Sequence, residues 1–347
     1  MSVALGTYPT PFWRAERLED ARTSVWIKDD GRTSGVYGGN KVRKLERLLA
    51  AARARKARRV LTVGAAGSHH VLATCVFAQR LGLPTAALLL PQPWTAHAES
   101  VLKAGLVAGL EPIPCATPLD ALRNFWRCRR PDDYVVGPGG MGFEGTSAYA
   151  AAVEEVVAQA SSAGVAPIDR IYVAAGSGST AAGLLAGVLE AGASTQIIAV
   201  QVSSNVALRA LIMAQASYVL ARRGVSIAPL AMLSALRIEP RFVGGGYGHV
   251  TPESSHASEL ARTFGLELDP TYTAKAFAAL LRAISERKWS EPGGQLGLRR
   301  RQTYLYWHTL SSAPLTSLLV GAPSALPSEL GELLPRPRAS VGASALG

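Results

Sequence analysis

The sequence predicts an α/β protein built on open, parallel-rich sheets, and three observations carry that expectation. Short apolar runs alternate with longer Ala- and Leu-rich stretches of helical period, and glycine-rich turns separate one from the other. Hydrophobic residues make up 48% of the 347 positions and charged ones only 18%, enough apolar material to cover a sheet on both faces. At this length two domains of ordinary size fit better than one.

In chain order, the first strong element is the helix opened by "YGGNKVRKLE", residues 37–46. Val42, Leu45, Leu48, Leu49 and Ala52 recur at helical spacing, while Arg43, Lys44, Arg47 and Arg53 fall mostly on the other face, read as solvated. Asn40 is the expected N-cap, which places Lys41 in the first turn at the positive end of the helix dipole. An ammonium is disfavoured there, and a neutral amine is what condensation with a carbonyl requires. On this stretch alone, a solvated lysine beside a basic face is the better reading.

Next come the strand "RRVLTVG", the helix "HHVLATCVFAQRLGL" and the strand "TAALLL", a βαβ unit. Its turn, "TVGAAGSHHVLAT", puts Ser68 where its hydroxyl can hold a substrate carboxylate, serve as acid or base, or cap the helix. No G-x-S-x-G surrounds it, which excludes a nucleophile elbow. The adjacent His69 and His70 are not expected to face one site. "GPGGMGFEG", residues 137–145, breaks the pattern and reads as a domain crossing.

A second unit follows: "RIYVAAG", "STAAGLLAGVLEAG" and "QIIAVQV". The turn in "VAAGSGSTAAGL" collects glycines and hydroxyls at a helix start, a natural phosphate cup. A Walker loop fails because Leu184 follows Gly183 where a lysine is needed. Gly176, Gly178 and Ala181 do satisfy a Rossmann G-x-G-x-x-A, although the next strand ends in Ser203, Ser204 and Asn205 with no carboxylate for a ribose. An NADP-binding oxidoreductase therefore stays open, as does a non-catalytic anion-binding protein. After Pro323 the chain is rich in Pro, Ser, Ala and Gly and is expected to be loosely held.

The formal net charge of +11 comes from arginines scattered along Ala-rich helices, with no nucleic-acid reading module, so a nucleic-acid partner is not expected. Cys75, Cys115 and Cys128 lie far apart and form neither a disulfide framework nor a metal site, in keeping with a reduced cytoplasm. No targeting segment opens the chain, and "PTAALLLP" is too short to span a bilayer.

A lysine for a carbonyl, a phosphate cup and a serine-bearing anion loop are together the parts list for pyridoxal 5'-phosphate. Here the sequence resembles the 1-aminocyclopropane-1-carboxylate (ACC) deaminase and D-cysteine desulfhydrase family, of fold type II. "PTPFWRAERL", "VWIKDDG", "GGNKVRKLE", "GAAGSHH", "GSGSTAAGL", "GGGYG", "DPTYTAKA" and "LYWHTLSS" match its segments in order over about 8–315. The resemblance implies that Lys41 carries the cofactor and moves the α-proton, and that Gly176, Ser177, Gly178, Ser179 and Thr180 bind its phosphate. Ser68 would contact the substrate, Tyr247 and Tyr272 would frame substrate and ring, and Thr273 and Thr309 would lie near the pyridine nitrogen. It also implies a homodimer and two domains with the cofactor in the cleft: a large one of 1–37 plus 150–322 and a small one of 38–149. The tail of 323–347, flexible by its composition, is extra to the family's pattern.

The sequence departs from that pattern where His69 replaces an asparagine expected to touch the cofactor, Gly67 a glutamine and Ala274 a glycine. Leu310 and Ser311 break a glycine pair, and "KWSEPGGQLGLRRRQ" is expanded. A threonine at 273, where the deaminase branch has glutamate, leaves the ring nitrogen without a carboxylate. The expected reaction is α,β-elimination from a small D-cysteine-like amino acid, giving pyruvate and ammonia. Cyclopropane ring opening and racemisation are the alternatives.

Overall fold

The computed structural model describes residues 3–289 and 300–336. In chain order its elements begin with β1 (Phe12–Arg14), β2 (Thr23–Asp29), α1 (Asn40–Ala54), β3 (Arg59–Ala65), α2 (His69–Gln79), β4 (Thr85–Leu90), α3 (Ala96–Val107) and β5 (Leu110–Pro114). They continue with α4 (Pro118–Cys128), β6 (Asp133–Val136), α5 (Phe143–Ser162), β7 (Arg170–Ala175), α6 (Ser179–Glu190), β8 (Gln196–Gln201) and α7 (Leu208–Arg222). The last are α8 (Pro229–Ala235), β9 (Leu236–Glu239), α9 (Pro252–Arg262), α10 (Thr273–Trp289), β10 (Gln302–His308) and α11 (Ser328–Gly331).

The strands form two sheets: six strands in the order β1-β2-β10-β7-β8-β9, and four in the order β5-β4-β3-β6. Every neighbouring pair is parallel except β1 with β2, so the α/β, parallel-rich architecture is the one expected. The apolar runs read as strands are buried because helices cover both faces of the larger sheet. One core packs α5, α6 and α7 against it, and another packs α9 and α10 on the opposite face. A third core joins α1, α2 and α3 to the smaller sheet.

Helix α1 buries Val42, Leu45, Leu48, Leu49 and Ala52, as its periodicity predicts. Arg43 and Lys44, expected on a solvated face, are buried as well, because α1 lies between both sheets and has little free surface. Arg43 pairs with Asp30 at 2.9 Å and with Glu155 at 2.8 Å, while Tyr149 and Trp307 donate to Asp30 at 2.6 and 2.8 Å. Burial works against the Asp30 carboxylate, but these partners hold it below its usual range. The cluster ties α1 to α5 and to the central strand β10.

The tail is the other correction. Leu330, Leu333 and Leu334 enter the core of the smaller sheet, and the carbonyls of Leu333 and Pro335 accept from the amides of Gln92 and Trp94 at 3.0 and 3.1 Å. Three leucines close together supply apolar area that the segment's polar composition conceals. Residues 337–347 and most of the expanded segment, 290–299, lie outside the described residues.

Candidate active site

A cavity of about 460 Å³ opens between the two sheets, at the C-terminal ends of their parallel strands. Lys41 stands on its wall because of the turn before it. Gly39, not Asn40, is the N-cap of α1, with φ of +91°, a conformation that costs asparagine more than glycine. A Cβ at Gly39 would sit 2.6 Å from the Thr309 carbonyl, so the turn also needs a glycine to approach the end of β10. Asn40, freed from capping, donates from its amide to Thr180 Oγ1 at 3.0 Å and accepts from Lys41 Nζ at 2.8 Å. Burial pulls the Lys41 amine down to about 8, against the opposing field of Asp269. A free amine near neutrality is thereby accessible.

The loop Gly176–Thr180 lines the same cavity. Gly178 holds φ of +81° immediately before α6, and a Cβ on Gly176 would come within 3.0 Å of the Tyr272 ring. The first-turn amides of α6 have no acceptor within the helix and present donors to an anion. Beside them is Lys44, one turn beyond Lys41, whose Nζ donates to Ser179 Oγ at 2.5 Å and to Gly139 O at 3.1 Å. Burial, aided by Lys41, drives the Lys44 amine well below its ordinary range, and among the described residues no carboxylate compensates it. A buried amine held short of its proton beside a glycine cradle is a site where a phosphate dianion would restore the ammonium and pair with it. The residues present thus fit pyridoxal phosphate.

The other walls bring together most of the residues singled out from the sequence. Ser68, His69, Tyr247, Tyr272 and Thr309 all line the cavity. Ser68 also caps α2, accepting from Val71 N at 3.4 Å, as the cap reading expects. Tyr272 donates to Tyr247 at 2.9 Å, and burial raises the Tyr247 phenol to about 12. Thr309 follows β10 rather than lying in a strand, as its residue type suggests. His69 and His70 both reach the wall, contrary to expectation, because they open α2 at its first turn. His70 is bonded to Thr62 at 2.9 Å, and His69 to Tyr37 and His97.

Thr273 is the exception: it is buried and is not part of the lining. Its hydroxyl donates to Asp269 Oδ2 at 2.6 Å. Asp269 does line the cavity, and sequence reasoning missed it together with Tyr37, Asn40 and Lys44. Its carboxylate caps α10, accepting also from the amides of Thr271, Tyr272 and Thr273 at 2.7 to 3.1 Å. The Asp-Pro opening of "DPTYT" was the available signal, and for Lys44 it was the i,i+3 spacing from Lys41. Among the described residues no group of acidic, His or Cys side chains could hold a metal ion, and no helix is long and apolar enough to cross a membrane.

Comparison with known proteins agrees with this geometry. The chain is 35% identical over 325 residues to the nocardicin C-9' epimerase of Nocardia uniformis subsp. tsuyamanensis, covering 89% of this chain and 92% of that protein. It is 32% identical over 302 residues to the D-cysteine desulfhydrase of Salmonella typhi, covering 82% and 89%. A crystal structure of an ACC deaminase homologue superposes with a TM-score of 0.74 at 27% identity, over 92% of this chain and 96% of that one. A fungal L-serine ammonia-lyase from Rhizomucor miehei, 16% identical with a TM-score of 0.62 over 91% and 96%, shares the fold. The family model described as pyridoxal-phosphate dependent enzyme matches residues 3–293, which sets aside the NADP and non-catalytic readings. With a glycine-rich loop and a buried lysine in one cavity, the chain belongs to the pyridoxal-phosphate-dependent enzymes, in the group of the ACC deaminases and D-cysteine desulfhydrases.

Proposed function

We propose that the protein catalyses α,β-elimination on a small β-substituted amino acid of the D-cysteine type, releasing pyruvate and ammonia. When bound, pyridoxal phosphate supplies an electron sink for the charge left at the α-carbon. Lys41 carries the cofactor and takes the α-proton, and Asn40 orients its amine. The loop Gly176–Thr180 and Lys44 hold the phosphate, while Ser68, at the start of α2, holds the substrate carboxylate. Tyr247 and Tyr272 frame the substrate. Thr309 is assigned to the ring nitrogen, and Thr273 acts through Asp269.

One observation carries the choice of reaction. Asp269 is the only carboxylate lining the cavity among the described residues, and its oxygens already accept four hydrogen bonds in capping α10. No free carboxylate is left to hold a proton on a pyridine nitrogen, which keeps the sink weak. A weak sink favours substrates whose β-substituent departs with the electron pair as Lys41 removes the proton. The 2-aminoacrylate so formed hydrolyses to pyruvate and ammonia.

Pyruvate release from D-cysteine, β-chloro-D-alanine and ACC tests the reading, with Lys41→Ala as the blank. The β-substituted substrates are expected to turn over faster; faster release from ACC would overturn the assignment. Epimerisation at the α-carbon is a second reading, favoured by the 35% identity to an epimerase and by the Tyr37–His69 pair on the wall. The two-domain division at 38–149, a homodimer and a cytoplasmic location belong to the same proposal. Sedimentation of the purified protein reads the dimer.

A further inference from the structure

We propose that Tyr37 is a second proton-transfer residue of this cavity, supplied from solvent through His69 and His97. The proposal rests on Lys41 being the α-proton acceptor and adds a group that returns a proton from elsewhere. Tyr37 precedes the Gly38–Gly39 turn, is 2% exposed and lines the cavity, as does His69. The Tyr37 hydroxyl is hydrogen-bonded to His69 Nδ1, and His69 Nε2 lies 3.0 Å from His97 Nε2. His97 sits in the first turn of α3 and is only half-buried, so water reaches it. Three proton-bearing side chains from three separate segments therefore form a line from solvent to the cavity, and Lys41 is not among them.

A neutral imidazole has one N–H and one lone pair, so the line has two consistent polarities. Running inward, His97 Nε2–H donates to His69 Nε2 and His69 Nδ1–H donates to Tyr37 Oη, leaving the phenolic hydrogen free for the cavity. If Tyr37 then gives that proton to a substrate carbanion, the Nδ1 proton of His69 passes to the phenolate oxygen. The Nε2 proton of His97 passes to His69, and one solvent proton enters at His97 Nδ1. One proton leaves, one enters, and the line ends with outward polarity and every group neutral.

Burial pulls the His69 ring down to about 4, with His97 and Lys41 adding to the effect and Asp269 opposing it, so the ring carries a single proton at neutral pH. Such a relay needs that state. Its consequence is proton return at the α-carbon by a group other than the one that removed it, which converts one stereoisomer into the other when the two groups meet opposite faces of that carbon and no β-substituent can leave.

The holoenzyme in deuterated water, with D- and L-alanine as probes, tests this. α-Hydrogen exchange reports Lys41, and inversion reports the second group. The wild type should do both. Tyr37→Phe and His97→Gln should each lower the ratio of inversion to exchange by roughly 10²-fold or more. Nitrogen-15 imidazole spectra of the holoenzyme without substrate give a readout independent of turnover: Tyr37→Phe should shift His69 Nδ1, and His97→Gln should shift His69 Nε2. Inversion at the wild-type ratio in both variants, exchange without inversion in the wild type, or His69 signals unmoved by either substitution would overturn the relay and leave the Lys41 chemistry standing. Exchange that survives Lys41→Ala would overturn the Lys41 reading instead.

Discussion

Two lysines one turn apart on α1 show how burial assigns different work to the same side chain. Lys41 faces the field of Asp269 and keeps a pKa near 8, whereas Lys44 faces only Lys41 and neutral donors or acceptors and is driven lower. Because the Lys41 value is lowered from 10.5, its amine is mostly protonated below about pH 8 and free above it. The cofactor-free protein should therefore take up pyridoxal phosphate about tenfold faster per pH unit up to roughly 8 and then level off, followed by visible absorbance. A rate that is flat from pH 6 to 9 would show the amine already free. Lys41 was singled out in the sequence because its motif surrounds it, and the structure places it on the cavity wall. Lys44 and Arg43 were not, because helical periodicity treats a charge as solvated unless a partner is known, and Asp30 lies outside the helix while Glu155 and Ser179 lie more than a hundred positions away.

At the scale of elements, the alternation of strand and helix was legible and the approach of helices was not. Gly183 entered the sequence argument only as the residue before a missing Walker lysine. In the fold it lets α6 lie against α5: a Cβ there would stand 2.2 Å from the Thr146 carbonyl and 2.5 Å from Tyr149 Cβ. Gly187, one turn on, is held similarly by Ala150 and Val153. Since α6 presents its N-terminus to the cavity, this contact sets where the proposed phosphate cradle stands. Gly183→Ala should destabilise the protein by about 1–3 kcal/mol through overpacking and weaken cofactor binding in parallel. A variant with unchanged melting temperature and cofactor affinity would show that the two helices part without cost.

For the whole molecule, two sheets direct the ends of their strands at one cavity, and the end of the described chain braces one wall. Leu333 holds the backbone of Gln92, and the Gln92 side chain accepts from Gly67 N at 3.1 Å, beside Ser68. Leu333→Ala, at a site 4% exposed, should cost roughly 2–5 kcal/mol, read as a lower melting temperature. An unchanged melting temperature would return this segment to the loosely held tail its composition predicts. The order of the strands was equally illegible, because pairing between β2 and β10 joins residues nearly 280 positions apart and leaves no local pattern. That pairing bears on biosynthesis. The smaller sheet is complete in sequence once Val136 has been made, whereas β10, lying between β2 and β7, is made after both of them. Until then β2 and β7 face each other across a gap with unpaired edges, and Val25, Ile27, Ile171 and Val173 wait for their neighbours, so the nascent chain must shelter its larger sheet until β10 has been made.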